Sequence, residues 1–65
     1  MITLDGKEVG VEVRSMTAGR GEVCLVSNEG AYELAQFARK EDATTFAALI
    51  KEQGREYTTD NYRIK

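Results

Sequence analysis

Residues 7–16 read KEVGVEVRSM, and this stretch decides how the fold begins. Apolar and polar residues alternate along it, so that one side of an extended chain carries Val9, Val11 and Val13 while charged residues occupy the other side. A period of two over ten residues is typical of a strand with one buried face. We therefore predict a half-buried β-strand over this stretch.

A tight turn is predicted immediately before this strand. Asp5 and Gly6 form a dipeptide that tolerates positive φ at both central positions of a type I′ turn. The preceding residues, Ile2-Thr3-Leu4, have the composition of a short strand. The sequence thus predicts that a β-hairpin opens the fold.

The next strand is predicted to lie in the middle of a sheet. Residues 17–21 contain two glycines and indicate a loop, and residues 22–27 contain the apolar run Val23-Cys24-Leu25-Val26. A continuous apolar run is typical of a strand that is covered on both faces. We expect the first three strands to form a meander.

Residues 31–38 are compatible with two structures. Ala31, Leu34, Ala35 and Ala38 have helical spacing and good helix propensity. Against this, residues 27–30 have the chemistry of a three-residue hairpin loop that ends in a glycine, which favours a strand after it. We favour the strand, and the helix remains the alternative.

An amphipathic helix is predicted near residues 42–53. Ala43, Phe46, Ala47 and Ile50 form an apolar stripe at i, i+3, i+4 and i+7. Asp42 is a candidate N-cap and Gly54 a candidate stop signal, and residues 61–65 then alternate as a closing strand would. The predicted fold class is α+β, a small antiparallel β-meander of four to five strands with one helix packed on one face.

The length of 65 residues predicts a single domain over residues 1–65 with a small core. Such domains often add a disulfide, a metal or a second subunit. Cys24 is the only cysteine and histidine is absent, which excludes an internal disulfide and a Cys/His metal site. We expect no metal or cofactor, and we consider a homodimer.

The sequence also bears on location and on the class of partner. It contains neither a basic segment followed by an apolar one at its start nor a run of about 18 apolar residues, so we expect no membrane association. With its single cysteine this favours a cytoplasmic protein. The net charge of −2, with both signs mixed along the chain, makes nucleic acid a less favoured partner than protein.

Catalytic chemistry has little support in the sequence. Glu8 and Glu12 would stand about 13 to 14 Å apart along one strand, which is too far for a carboxylate pair, although Glu22 on a neighbouring strand could come closer. Cys24 lies within an apolar run and is predicted to be a small buried hydrophobe without reactivity. We do not expect an enzyme.

The favoured function is a non-enzymatic protein-binding module. Its size and charge resemble those of small inhibitors and adaptors from phages and mobile elements that occlude a surface of a larger host complex, an analogy of scale alone. One alternative is nucleic-acid binding through the basic and aromatic second half, and another is a structural subunit that pairs through an edge strand, either Ile2–Leu4 or the C-terminal strand. The candidate contact residues are Arg39, Lys40, Arg55, Tyr57, Tyr62 and Arg63.

Overall fold

The computed structural model describes residues 1–59, and within them it contains six β-strands and one α-helix. The strand count exceeds the predicted four to five, while the α+β class with one helix is confirmed. The elements are β1 Ile2–Leu4, β2 Lys7–Glu8, β3 Gly10–Ser15, β4 Gly21–Ser27, β5 Gly30–Phe37, α1 Lys40–Gln53 and β6 Arg55–Tyr57.

The strands form two small sheets rather than one. The first has the order β2-β1-β6, and the second is the meander β3-β4-β5, antiparallel throughout. β1 lies between two neighbours, so the prediction that Ile2–Leu4 is an edge strand is wrong. The reason is β6, which pairs with β1 in parallel, Ile2 beside Arg55 and Leu4 beside Tyr57.

The strand predicted over residues 7–16 changes partners at Val9. β2 pairs with β1 before this residue, and β3 pairs with β4 after it. The Val9 amide donates to the carbonyl oxygen of Ile2 at 3.0 Å, which marks the last contact with the first sheet. β1 and β4 therefore lie on opposite sides of one strand, as the predicted meander of the first three strands requires, but this strand is divided at Val9 between two sheets.

The opening turn has the predicted conformation. Asp5 has φ 52° and Gly6 has φ 84°, both in the positive region that a type I′ turn requires. The Asp5 carboxylate also accepts hydrogen bonds from the Thr59 amide (3.1 Å) and the Thr59 hydroxyl (3.2 Å). The turn thus holds the segment that follows β6.

Residues 30–37 form a strand, which settles the ambiguity in favour of the predicted structure. The hairpin loop before it consists of Asn28 and Glu29, one residue fewer than predicted, because Gly30, with φ 135°, already pairs with Ser27. The hydroxyl of Ser27 accepts a hydrogen bond from the Glu29 amide at 3.2 Å. A register shift opposite Val23 and Cys24 creates a β-bulge near Leu34. Pairing with β4 overrides the helix propensity of the segment.

The helix α1 begins at Lys40, two residues before the predicted start. Its N-cap is Arg39, which makes no side-chain cap hydrogen bond, so the prediction that Asp42 caps the helix is wrong. Asp42 instead lies in the first turn, where its negative charge interacts favourably with the positive end of the helix dipole. Gly54 ends the helix as predicted, with φ 68° and its amide donating to Ile50 at 2.9 Å.

The core lies between α1 and the inner face of the meander. Val23 and Leu25 from β4 pack against the buried face of the helix, and Ile2 and Tyr57 extend the core into the first sheet. The helix supplies Ala43, Ala47 and Ile50. Small side chains let the helix approach closely, and a Cβ built at Gly21 would lie only 2.8 Å from the Cα atom of Lys40.

The closing strand predicted over residues 61–65 lies outside the described residues. Within residues 1–59, no helix is long and apolar enough to cross a membrane.

Candidate functional site

The structure separates the basic residues that the sequence grouped together. Arg39 and Lys40 stand at the start of α1, and Arg55 follows its end. The fourteen-residue helix that begins at Lys40 separates the two groups by about 20 Å, at 1.5 Å per residue. The described part of the predicted contact surface is thus divided between opposite ends of the helix.

Of the two tyrosines in the predicted contact set, the one that the structure describes is not exposed. Tyr57 is only 4% exposed and belongs to the core. The Arg55 guanidinium lies 5.5 Å from the centre of its ring, a cation–π distance, so Arg55 covers Tyr57 from the solvent side. Tyr62 and Arg63 lie outside the described residues.

The main concave surface described is a cleft between the two sheets, which we call the intersheet cleft. It opens where β2 bends away from β4 at Val9, and its walls are the β1–β2 hairpin and the β4–β5 turn. Its largest section has a volume of about 700 Å³, and two adjoining sections share Ser27 and Glu29 with it. Leu4, Val9 and Tyr32 supply apolar surface to the lining.

An ion pair crosses this cleft. The Lys7 ammonium donates to the Glu29 carboxylate at 3.0 Å, and both side chains are exposed. Exposed pairs contribute at most about 1 kcal/mol to stability. The pair therefore adds little to folding, and its charges remain available at the rim of the cleft.

The face of the meander opposite α1 is covered with polar side chains. Arg14 contacts Glu12 at 3.2 Å, and Arg20 donates to the Gln36 side chain at 3.0 Å. A hydrogen bond with Glu33 raises the pKa of Glu22. The same bond, together with the Gln36 amide, lowers the pKa of Glu33. Glu22 therefore binds a proton more tightly than Glu33 does.

Cys24 lies on this polar face, between Glu12 on β3 and Glu33 on β5 in the strand register. It is nevertheless only 2% exposed, which confirms the prediction that it is buried. Desolvation raises the pKa of its thiol, and the nearby Glu22 charge raises it further. A thiol with a raised pKa is a poor nucleophile at neutral pH.

The sequence ruled out a Glu8–Glu12 pair along the strand and left open whether Glu22 lies close to either of them. Glu22 faces Arg14 in the β3–β4 register, and its acidic neighbour is Glu33 rather than Glu8 or Glu12. Residues 1–59 contain no group of three or more acidic or cysteine side chains placed to hold a metal ion.

The cleft residues were missed because no local pattern connects them. Lys7 and Glu29 are 22 positions apart, and the antiparallel register of β3 and β4, continued beyond Gly10 and Val26, places them opposite each other. Comparison with protein-family models, curated proteins and solved structures found no match to this chain.

Proposed function

We propose that the protein is a non-enzymatic protein-binding module that takes up an extended segment of a partner protein in the intersheet cleft. It acts inside the cell, where Cys24 stays reduced, by occupying a surface of a larger complex. The observation that supports this function is the cleft itself, which combines an apolar lining with a charged rim. A central apolar area within a polar border is the usual anatomy of a protein interface.

The edge of β2 favours an extended polypeptide segment as the ligand. β2 is the outer strand of its sheet within residues 1–59. Because the Val9 amide points toward β1, alternation along the strand directs the amide and carbonyl of Glu8 to the opposite side, toward the cleft. An extended segment could add to this edge through backbone hydrogen bonds and insert alternate side chains beside Leu4 and Tyr32.

Site-specific photo-crosslinking tests the proposal. A photoreactive amino acid at Lys7, on the cleft rim, should crosslink a defined protein in lysate of the source cells. The same amino acid at Thr45, exposed on the outer face of α1, should not. Equal crosslinking from both positions would show that contact is not directed by the cleft.

A blocking variant provides the second arm. Ser27 is exposed and lines all three sections of the cleft, so S27R should fill it and weaken binding of the crosslinked protein at least about tenfold. T45R adds the same side chain elsewhere and should bind normally. Full binding by S27R, with its fold verified by circular dichroism, would refute the cleft as the binding site.

A further inference from the structure

After the edge of β2, the outer edge of β3 is a second sheet edge whose backbone amides and carbonyls could pair with another strand. β3 is the first strand of the order β3-β4-β5, so one of its sides has no strand beside it along most of its length within residues 1–59. β1 reaches this side only at Val9, whose amide donates to Ile2. Beyond that contact, no strand of the described part of the chain lies beside the edge from Val11 to Ser15.

The direction of the backbone groups follows from two hydrogen bonds. The Met16 amide donates to the Arg20 carbonyl at 2.8 Å, across the hairpin from β3 to β4. In an antiparallel ladder, alternate residues direct both the amide and the carbonyl toward the same neighbour. Even-numbered residues of β3 therefore face β4, and Val11, Val13 and Ser15 direct their groups outward. The outward bond of Val9 agrees with this assignment.

We propose that β3 pairs in an antiparallel manner with β3 of a second copy of the chain, about a two-fold axis at Val13. Val13 then lies opposite Val13 of the second copy, and Val11 lies opposite Ser15. This register uses all three outward residues on each side. It also joins the two meanders into one six-stranded sheet with both helices on the same face, because odd-numbered residues meet odd-numbered residues.

The charges on the other face select the same register. With the axis at Val13, Glu12 lies opposite Arg14 of the second copy, and this happens twice. A shift of the axis by one residue would place Glu12 against Glu12 or Arg14 against Arg14. Opposite charges also fall on the non-hydrogen-bonded positions, where side chains across a ladder are closest. The backbone and the charge pattern thus lead to one arrangement independently.

The other edge of the meander lacks these properties. β5 contains the bulge near Leu34, which interrupts the alternation of outward groups. Bulges on edge strands are a common protection against pairing. β3 has six consecutive regular pairs with β4 and no such interruption.

The second copy also fits the size of the core. Val9, Val11 and Val13 are only partly buried although they pack against the core. Pairing at β3 would place Val13 of the second copy opposite Val13 and diagonally beside Val11, and it would lengthen the apolar layer under the helices. This stabilisation is the kind that a 65-residue chain without disulfide or metal needs.

Sedimentation equilibrium of the pure chain and of charge variants tests the proposal. E12R and R14E each place like charges opposite each other at two positions, so each should weaken the dimer about tenfold or more. The double variant E12R/R14E restores opposite charges and should recover most of the affinity. E52R carries the same charge change on the exposed helix surface and should dimerise like the wild type.

Hydrogen exchange provides a readout of the register. Dimer formation should slow exchange of the Val11, Val13 and Ser15 amides, whereas the Glu12 and Arg14 amides are already bonded to β4. A chain that stays monomeric up to about 1 mM overturns the proposal. A dimer that is unaffected by E12R, or that leaves the three outward amides unprotected, overturns it equally.

Discussion

At Gly21 the backbone of β4 lies directly against the first turn of α1. A methyl group there would lie 2.8 Å from the Lys40 Cα atom and 3.1 Å from the Ala43 Cβ atom, so the helix would have to move. We expect G21A to lower the free energy of unfolding by about 1–3 kcal/mol, measured by urea denaturation.

Gly10 is the matched control for this substitution. A Cβ at Gly10 would meet only the Val26 carbonyl oxygen, at 3.9 Å. G10A should therefore change the stability by less than about 0.5 kcal/mol. Equal effects of the two variants would mean that the loss comes from the change of residue type and not from the close approach of the helix.

The carboxyl pair on the polar face gives a prediction about pKa. The pKa of Glu22 is raised first by its hydrogen bond with Glu33 and also by the Glu33 charge. E33Q removes the charge and supplies an amide that can donate to the Glu22 carboxylate, so the pKa of Glu22 should fall. Carbon-detected NMR titration of the side-chain carboxyl groups measures this change.

E29Q serves as the control for that titration, because Glu29 lies in the β4–β5 turn at the other end of β4 from Glu22. It should leave the Glu22 titration unchanged. An unaltered pKa of Glu22 in E33Q would contradict the assigned pairing of the two carboxyl groups.

Only one face of α1 packs on the core, and this face accounts for most of what the helix contributes to the stability of the protein. Ile50 is 2% exposed and contacts the core, whereas Leu49, the preceding residue, is 49% exposed. I50A should cost about 2–5 kcal/mol, and L49A less than about 1 kcal/mol, in thermal or urea unfolding. Similar losses in both variants would mean that Leu49 is covered in solution by another surface.

Elements that depend on neighbours in sequence could be predicted. The alternation in β3, the turn at Asp5 and Gly6, and the stripe of α1 are local patterns, and each one appears in the structure. The division at Val9 could not be predicted, because the alternation continues unchanged through it. The strand β6 was missed for a related reason, since its three residues show no pattern and its partner β1 is more than 50 positions away.

The candidate site was harder to predict than the fold, because its residues come together only through contacts between distant segments. The predicted contact set collected basic and aromatic residues of the second half, but α1 separates Arg39 and Lys40 from Arg55. Sequence proximity does not measure distance when a straight helix intervenes. The cleft between Ser27, Glu29 and the β1–β2 hairpin depends on a bend and on contacts between distant segments.

For the whole molecule, the proposed pairing through β3 predicts that stability depends on protein concentration. If folded chains associate and unfolded chains do not, mass action stabilises the folded state as the concentration rises. The melting temperature of the wild type should increase by a few degrees when the protein concentration is raised about a hundredfold. E12R should show a smaller increase, and a melting temperature independent of concentration in the wild type would argue against the dimer.

The two neighbours of β1 become available at different times during synthesis, β2 immediately after β1 and β6 only after the helix. Arg55 is made more than fifty residues after its parallel partner Ile2. The meander and α1 are available before that time, while one side of β1 waits without its neighbour. β1 is thus made before the meander and the helix but is paired on both sides only after them, and a fragment that ends at Gly54 exposes a strand edge that β6 otherwise covers.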